Sequence, residues 1–117
     1  MDSRKPILVL ALAGVALAAA PASAGTTKKV AVEDNFYLPA KVTVAPGTTV
    51  RWTWPESGGD VHDVKLGKGP KGVKEFQSEP GSSGFTYKKK LTKPGTYKIV
   101  CTLHEEMKMT ITVKKKR

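Results

Sequence analysis

The sequence predicts an all-β domain, an antiparallel sandwich or barrel of about seven to eight strands. Three observations predict it: short runs that alternate apolar with polar residues, turn signals between them at regular spacing, and no stretch of helical period. The alternating runs are Val30-Ala31-Val32, Lys41–Val44, Thr49–Trp54, His62–Leu66, Phe85–Lys88, Thr96–Cys101 and Met109–Val113. Ala45-Pro46-Gly47, Pro55–Gly59, Gly67–Gly72, Pro80-Gly81 and Lys93-Pro94-Gly95 separate them. No repeat, linker or second domain interrupts the series.

Alternation also fixes which way side chains face, because residues two apart in a strand share a face. Cys101 falls on the face of Tyr97 and Ile99, and His62 on the face of Val64 and Leu66. Both are expected to point inward from strand ends, towards the same end of a small core. For a bare thiol and imidazole that is an unusual position.

The chain begins with a segment of a different kind. Met1–Pro6 is short and basic, Ile7–Ala20 is apolar, and Pro21-Ala22-Ser23-Ala24 ends in small residues. This is the pattern of a secretory signal peptide, with cleavage expected after Ala24. The apolar run is shorter than the ~20 residues that span a bilayer. With no cysteine in the segment, a lipid anchor at its end is not expected, and Ser3-Arg4-Lys5 falls short of a twin-arginine signal. Residues 25–117 then form one domain in the periplasm, outside the cell or on its surface.

The 117 residues carry twenty Lys and Arg against ten Asp and Glu. Removing Arg4, Lys5 and Asp2 with the leader leaves eighteen against nine, still strongly basic. Such a charge favours an anionic cell envelope as a contact. It does not favour nucleic acid, because the lysines are spread over alternating strand positions and not gathered into an aromatic-interleaved patch. Lys114–Arg117 reads as a solvated basic end. Cys101 is the only cysteine, so no internal disulfide forms, and an unpaired thiol in an exported protein calls for a chemical role.

That role is suggested by Cys101-Thr102-Leu103-His104-Glu105-Glu106-Met107, where thiolate, imidazole and thioether lie three residues apart on one short loop. His62 supplies a second imidazole from far upstream. Two His, one Cys and a weak axial Met describe a blue-copper electron-transfer site. Met107 and Met109 share a parity, so facing does not choose between them. Loop length favours Met107, which leaves Met109 to open a five-residue strand and pack with Ile111 and Val113. Structural zinc is disfavoured, because it takes four Cys or His ligands and only three such residues exist.

On these residues, together with Lys41–Val50 and Lys93–Tyr97, the chain resembles the cupredoxin family, the plastocyanin and amicyanin type of small blue copper protein. The resemblance covers nearly all of residues 25–117. It implies a Greek-key β-sandwich, one copper ion cycling between Cu(I) and Cu(II), and His62, Cys101, His104 and Met107 as ligands. It also implies that Asp63 and Thr102, which follow the first His and the Cys, brace the site. Family members often have Asn where this chain has Asp63, and an ionised Asp63 accepts hydrogen bonds without donating any.

The function expected is single-electron transfer between redox protein partners, by a monomer with no catalysis of its own. A multicopper enzyme would need further imidazoles, and no third His exists. Copper storage or delivery on the same fold is the alternative, and a purely adhesive sandwich would have no use for Cys101. In the family the edge of the loop His serves as the electron gateway, which makes Leu103, Glu105 and Glu106 the candidate docking residues. Five of the nine acids of residues 25–117, Glu56, Asp60, Asp63, Glu105 and Glu106, fall in segments expected near the copper end. They are either solvated loop residues or an acidic docking face on a basic protein.

Overall fold

A computed structural model describes residues 26–115, so the expected leader and its cleavage site lie outside the described residues. Eight strands form: β1 (Thr27–Glu33), β2 (Phe36–Leu38), β3 (Lys41–Val44), β4 (Thr48–Thr53), β5 (Lys65–Lys68), β6 (Thr86–Leu91), β7 (Gly95–Val100) and β8 (Lys108–Val113). They make two four-stranded sheets, ordered β2-β1-β4-β6 and β3-β8-β7-β5. Among the described residues no helix is present, and the all-β sandwich expected from the alternation is the observed architecture.

The inward positions of both sheets meet in one core. Val30 and Val32 on β1, Val50 and Trp52 on β4, Tyr97 and Ile99 on β7, and Met109, Ile111 and Val113 on β8 are all buried there. Each such aliphatic or aromatic side chain contributes about 1.5–3 kcal/mol when fully withdrawn from water. The turn before β4 shows how the sequence closes these strands. Pro46 and Gly47 occupy the two central positions of Ala45–Thr48, Gly47 has φ 92°, and Thr48 N–H returns to the Ala45 carbonyl at 3.2 Å. That is the type II turn a Pro-Gly pair favours, since only glycine takes the positive φ without steric cost.

Three expectations need correction. The sheets are mixed, not antiparallel throughout: β1 pairs parallel with β4, and β3 parallel with β8. Alternation reports facing, not the direction of a neighbour, so it carried no information on this point. Strand β2 was not expected, because three residues are too few for a period of two to register. The run His62–Leu66 is not a continuous strand either. β5 begins only at Lys65, and His62, Asp63 and Val64 are buried one after another. Asp63 turns inward because its carboxylate has partners there, described below, and the alternation breaks at that residue. His62 is instead tied by a two-way backbone bridge to Gly81, at 2.9 and 3.0 Å.

Candidate metal centre

Cys101 follows directly on β7 and continues its inward parity, with Tyr97, Ile99 and Cys101 all buried. The chain then loops back to β8. Cys101 N–H donates to the Met107 carbonyl and Met107 N–H to the His104 carbonyl, each at 3.0 Å, so the backbone itself closes the loop. The Gly81 bridge brings His62 to the same end of the sandwich.

The outcome is a convergence of three donors. Cys101 Sγ lies 3.9 Å from His62 Nδ1 and 3.7 Å from His104 Nδ1, and the three donor atoms all lie within 4.8 Å of one another. The imidazole rings are 4.7 Å apart between centroids. A metal–nitrogen bond of about 2.0 Å and a metal–sulfur bond of about 2.3 Å that meet near 120° put N and S about 3.7 Å apart. The observed edges therefore fit a triangle with a metal ion at its centre. One thiolate with two imidazoles is the donor set that suits copper in both oxidation states.

The two methionines have different positions. Met107 is completely buried within the loop. Met109 is buried opposite Ile99 on β7, and its Sδ accepts the Trp52 indole N–H at 3.4 Å. The sulfur of Met109 is thus engaged in core packing.

Asp63 and Thr102 meet as a clamp. Asp63 Oδ1 accepts Thr102 N–H at 2.7 Å, and Oδ2 accepts the Thr102 hydroxyl at 2.6 Å and the Gln77 side-chain amide at 3.1 Å. The Tyr37 hydroxyl donates to the Asp63 carbonyl at 2.6 Å. Burial pushes the Asp63 carboxyl up, but the hydrogen bonds from Thr102, Gln77 and the Cys101 thiol outweigh it and hold the group below the usual carboxylate range. The acceptor-only character of this Asp suits its place, because the groups facing it are donors.

Sequence reasoning missed Asp34. It sits in the two-residue turn between β1 and β2, where Asn35 takes φ 75°, and its Oδ1 lies 3.0 Å from His62 Nε2. The same oxygen accepts Asp60 N–H at 2.9 Å. Hydrogen bonds from His62 and from the Asp60 amide hold the Asp34 carboxyl below the usual range. His62 thus points Nδ1 at the thiol and Nε2 at a carboxylate, the arrangement that fixes the tautomer and orientation of metal-binding imidazoles. Gly59 gives Asp34 its room, since a Cβ there would come within 2.7 Å of Oδ1. The only signal available was the turn dipeptide Asp34-Asn35, and nothing in the sequence links that turn to a histidine 28 positions later.

Leu103, Glu105 and Glu106 are exposed on the loop that carries His104, and Asp60 Oδ2 lies 3.8 Å from His104 Nε2. Glu56 is exposed as well, beside Gly84. Val61, which the sequence did not single out, is also exposed beside His62.

Comparison with known proteins agrees with this geometry. Residues 24–114 match the family described as copper binding proteins, plastocyanin/azurin family. The chain is 34% identical over 101 residues to Amicyanin-alpha of Methylorubrum extorquens, covering 86% of this chain and 82% of that one. The structure of amicyanin from Paracoccus versutus aligns with a TM-score of 0.63 at 28% identity, over 79% of this chain and 83% of that one. A reduced Cu(I) form of an amicyanin mutant aligns with a TM-score of 0.65 at 25% identity, over 75% and 82% of the two chains. Fold, donor set and sequence relationship converge: this chain belongs to the plastocyanin/azurin family of copper-binding proteins, and its metal is one copper ion.

Proposed function

We propose that the protein is an exported single-electron carrier whose copper is held by His62, Cys101 and His104, with Met107 as the weak axial donor. Bound copper supplies a one-electron Cu(II)/Cu(I) couple and, through its thiolate bond, an intense visible absorption. The observation that carries the reading is the buried thiol with one imidazole nitrogen on either side, at 3.7 and 3.9 Å. The chain's own part is to hold those donors fixed. Asp34 orients His62, Asp63 ties the residue after Cys101, and the backbone bonds across the loop set Met107 against the core. Donors already in place need little movement when an electron arrives or leaves. A buried thiol also suits retention of the ion better than its delivery.

The reading is of a carrier and not an enzyme, since both of the chain's histidines belong to this one site and none is left for a second centre. The basic, apolar and small-residue pattern of the N-terminus supports export with cleavage after Ala24. His104 is about a quarter exposed whereas His62 is buried, which makes His104 the edge through which electrons pass. Around it lie exposed Leu103 and Val61 and the acids Asp34, Asp60, Glu105 and Glu106. They suit a basic redox protein as partner, with complementary charge raising the association rate at low salt.

Two measurements test this. Copper(II) added to residues 25–117, which contain every described strand, gives an intense blue or green colour that Cys101→Ser abolishes while the domain stays folded. Colourless, loosely held Cu(II) in the intact domain overturns the carrier reading. For docking, the reduction rate at low salt is compared between small cationic and anionic redox reagents. The acidic end predicts that the cationic reagent is faster and that Glu105→Gln with Glu106→Gln removes its lead.

A further inference from the structure

The lysines that the sequence spreads out are gathered by the strand register. On the outer face of the β2-β1-β4-β6 sheet, Lys29 on β1 stands directly opposite Arg51 on β4, and Arg51 directly opposite Lys88 on β6. All three are exposed, and Lys90 lies one row further along β6, opposite Thr49. Strands lie about 4.8 Å apart, so three cations stand in a line across neighbouring strands. Among the described residues no carboxylate forms a salt bridge with any of them. Glu33 is the acid on this face of β1, and it lies four residues, about 13 Å of strand, beyond Lys29.

Like charges directly opposite in a sheet are destabilising. Lysines on an edge strand such as β6 have a protective use, because they discourage pairing with another chain. That use does not extend to Lys29 and Arg51, which lie on the two central strands. In the second sheet Lys98 faces Lys68 on β5, but the row stops there, because Thr110 separates Lys98 from Lys41 and takes a hydrogen bond from Lys98 Nζ at 3.3 Å.

Two further features share the cationic face. A shallow groove of about 300 Å³ runs between β1 and β4, lined by Lys29, Ala31, Arg51 and Thr53, with room for a phosphodiester between two cations. Leu38 pairs with Ala31 and Phe36 with Glu33, so both apolar side chains emerge on this same face, 57% and 49% exposed. A soluble polyanion would gain nothing from Leu38 and Phe36. A bilayer would, since cations beside exposed apolar side chains are what binds a protein to an anionic lipid surface.

We propose that the outer face of this sheet docks on an anionic phospholipid bilayer, with Lys29, Arg51 and Lys88 on the headgroup phosphates and Leu38 and Phe36 at the acyl boundary. Docked in this way, the copper end lies to one side of the contact and His104 stays open to a redox partner. The proposal does not depend on the copper reading, because its residues and its test are separate from the metal centre.

The test is partition of residues 25–117 onto phosphatidylglycerol vesicles at low salt, with phosphatidylcholine vesicles and soluble polyphosphate as comparisons. Lys29→Gln, Arg51→Gln and Lys88→Gln together are expected to weaken partition about a hundredfold, from roughly fivefold per basic residue at a membrane surface. Phe36→Ser with Leu38→Ser weakens it several-fold without changing polyphosphate binding. Lys41→Gln, Lys68→Gln and Lys98→Gln remove the same charge from the other sheet and are expected to cost less than fivefold. All the replaced side chains are exposed surface groups whose exchange keeps the far-ultraviolet β spectrum, recorded for each variant. Equal losses from the two triple variants overturn the docking face, leaving diffuse net charge as the cause. So does the absence of binding to phosphatidylglycerol, or an apolar variant that binds vesicles unchanged.

Discussion

The two imidazoles of the site reach the thiol from opposite kinds of surroundings. His62 is 2% exposed and hydrogen-bonded to Asp34 at 3.0 Å, while His104 is 24% exposed, with Asp60 only loosely near at 3.8 Å. His62 comes from a segment tied to Gly81 and followed by the Asp63 clamp. His104 comes from a loop whose neighbours Leu103, Glu105 and Glu106 face solvent. One side of the site is built to hold still and the other to be reached.

The largest effect that separates the two sides is rescue. His62→Gly and His104→Gly are both expected to lose the strong visible absorption of the copper-loaded protein. Added imidazole restores it in His104→Gly, whose vacated space opens to solvent, and not in His62→Gly, whose space does not. Rescue of both, seen by titrating imidazole into each variant, breaks the contrast.

The clamp comes next. Asp63→Ala removes a buried acceptor from three donors and is expected to cost about 3 kcal/mol of stability, read from urea unfolding. Its pH dependence has a definite sign. The folded carboxyl titrates below its unfolded value of about 4, so the stabilisation is present above that pH and is lost as pH falls through the lowered folded value. Asp63→Asn flattens that acid limb. An acid limb unchanged in Asp63→Asn shows that the carboxylate adds nothing beyond its shape.

Asp34→Asn is expected to lower copper affinity about tenfold, the low end for loss of a partner to a metal-binding histidine. Asp60→Asn should change it by less than about twofold, since exposed pairs contribute little. Competition against a chelator measures both, and equal losses would remove the asymmetry between the histidines. The smallest contrast is between the methionines. Met107→Leu shifts the visible spectrum and the reduction potential, whereas Met109→Leu leaves both in place and costs about 1 kcal/mol, because Trp52 loses its sulfur acceptor.

What the sequence revealed follows from chain distance. Cys101, His104 and Met107 lie within seven residues, so their spacing could be read at once, whereas His62 is placed by its bridge to Gly81 and not by a continuous strand. Asp34 could not be found in that way, because the contact depends on how the β1–β2 turn packs against the segment before His62. The cation row was equally hidden. Lys29, Arg51 and Lys88 become neighbours only through one parallel and one antiparallel pairing, and alternation specifies neither. The burial of Asp63 ran against its strand parity, since three donors outweighed the period of two.

Cys101 and His62 are 39 residues apart, and they approach only where β5 and β7, the strands next to them, have paired. An unfolded chain offers the same donors scattered, with far weaker hold on the ion. Occupancy and folding are therefore linked: free copper at a hundred times the dissociation constant adds about 2.7 kcal/mol to the folded state. That shift lowers the unfolded fraction about a hundredfold, and with it the supply of substrate for any protease that cuts open chains. Metal supply thus governs how long each molecule survives as well as whether it carries an electron.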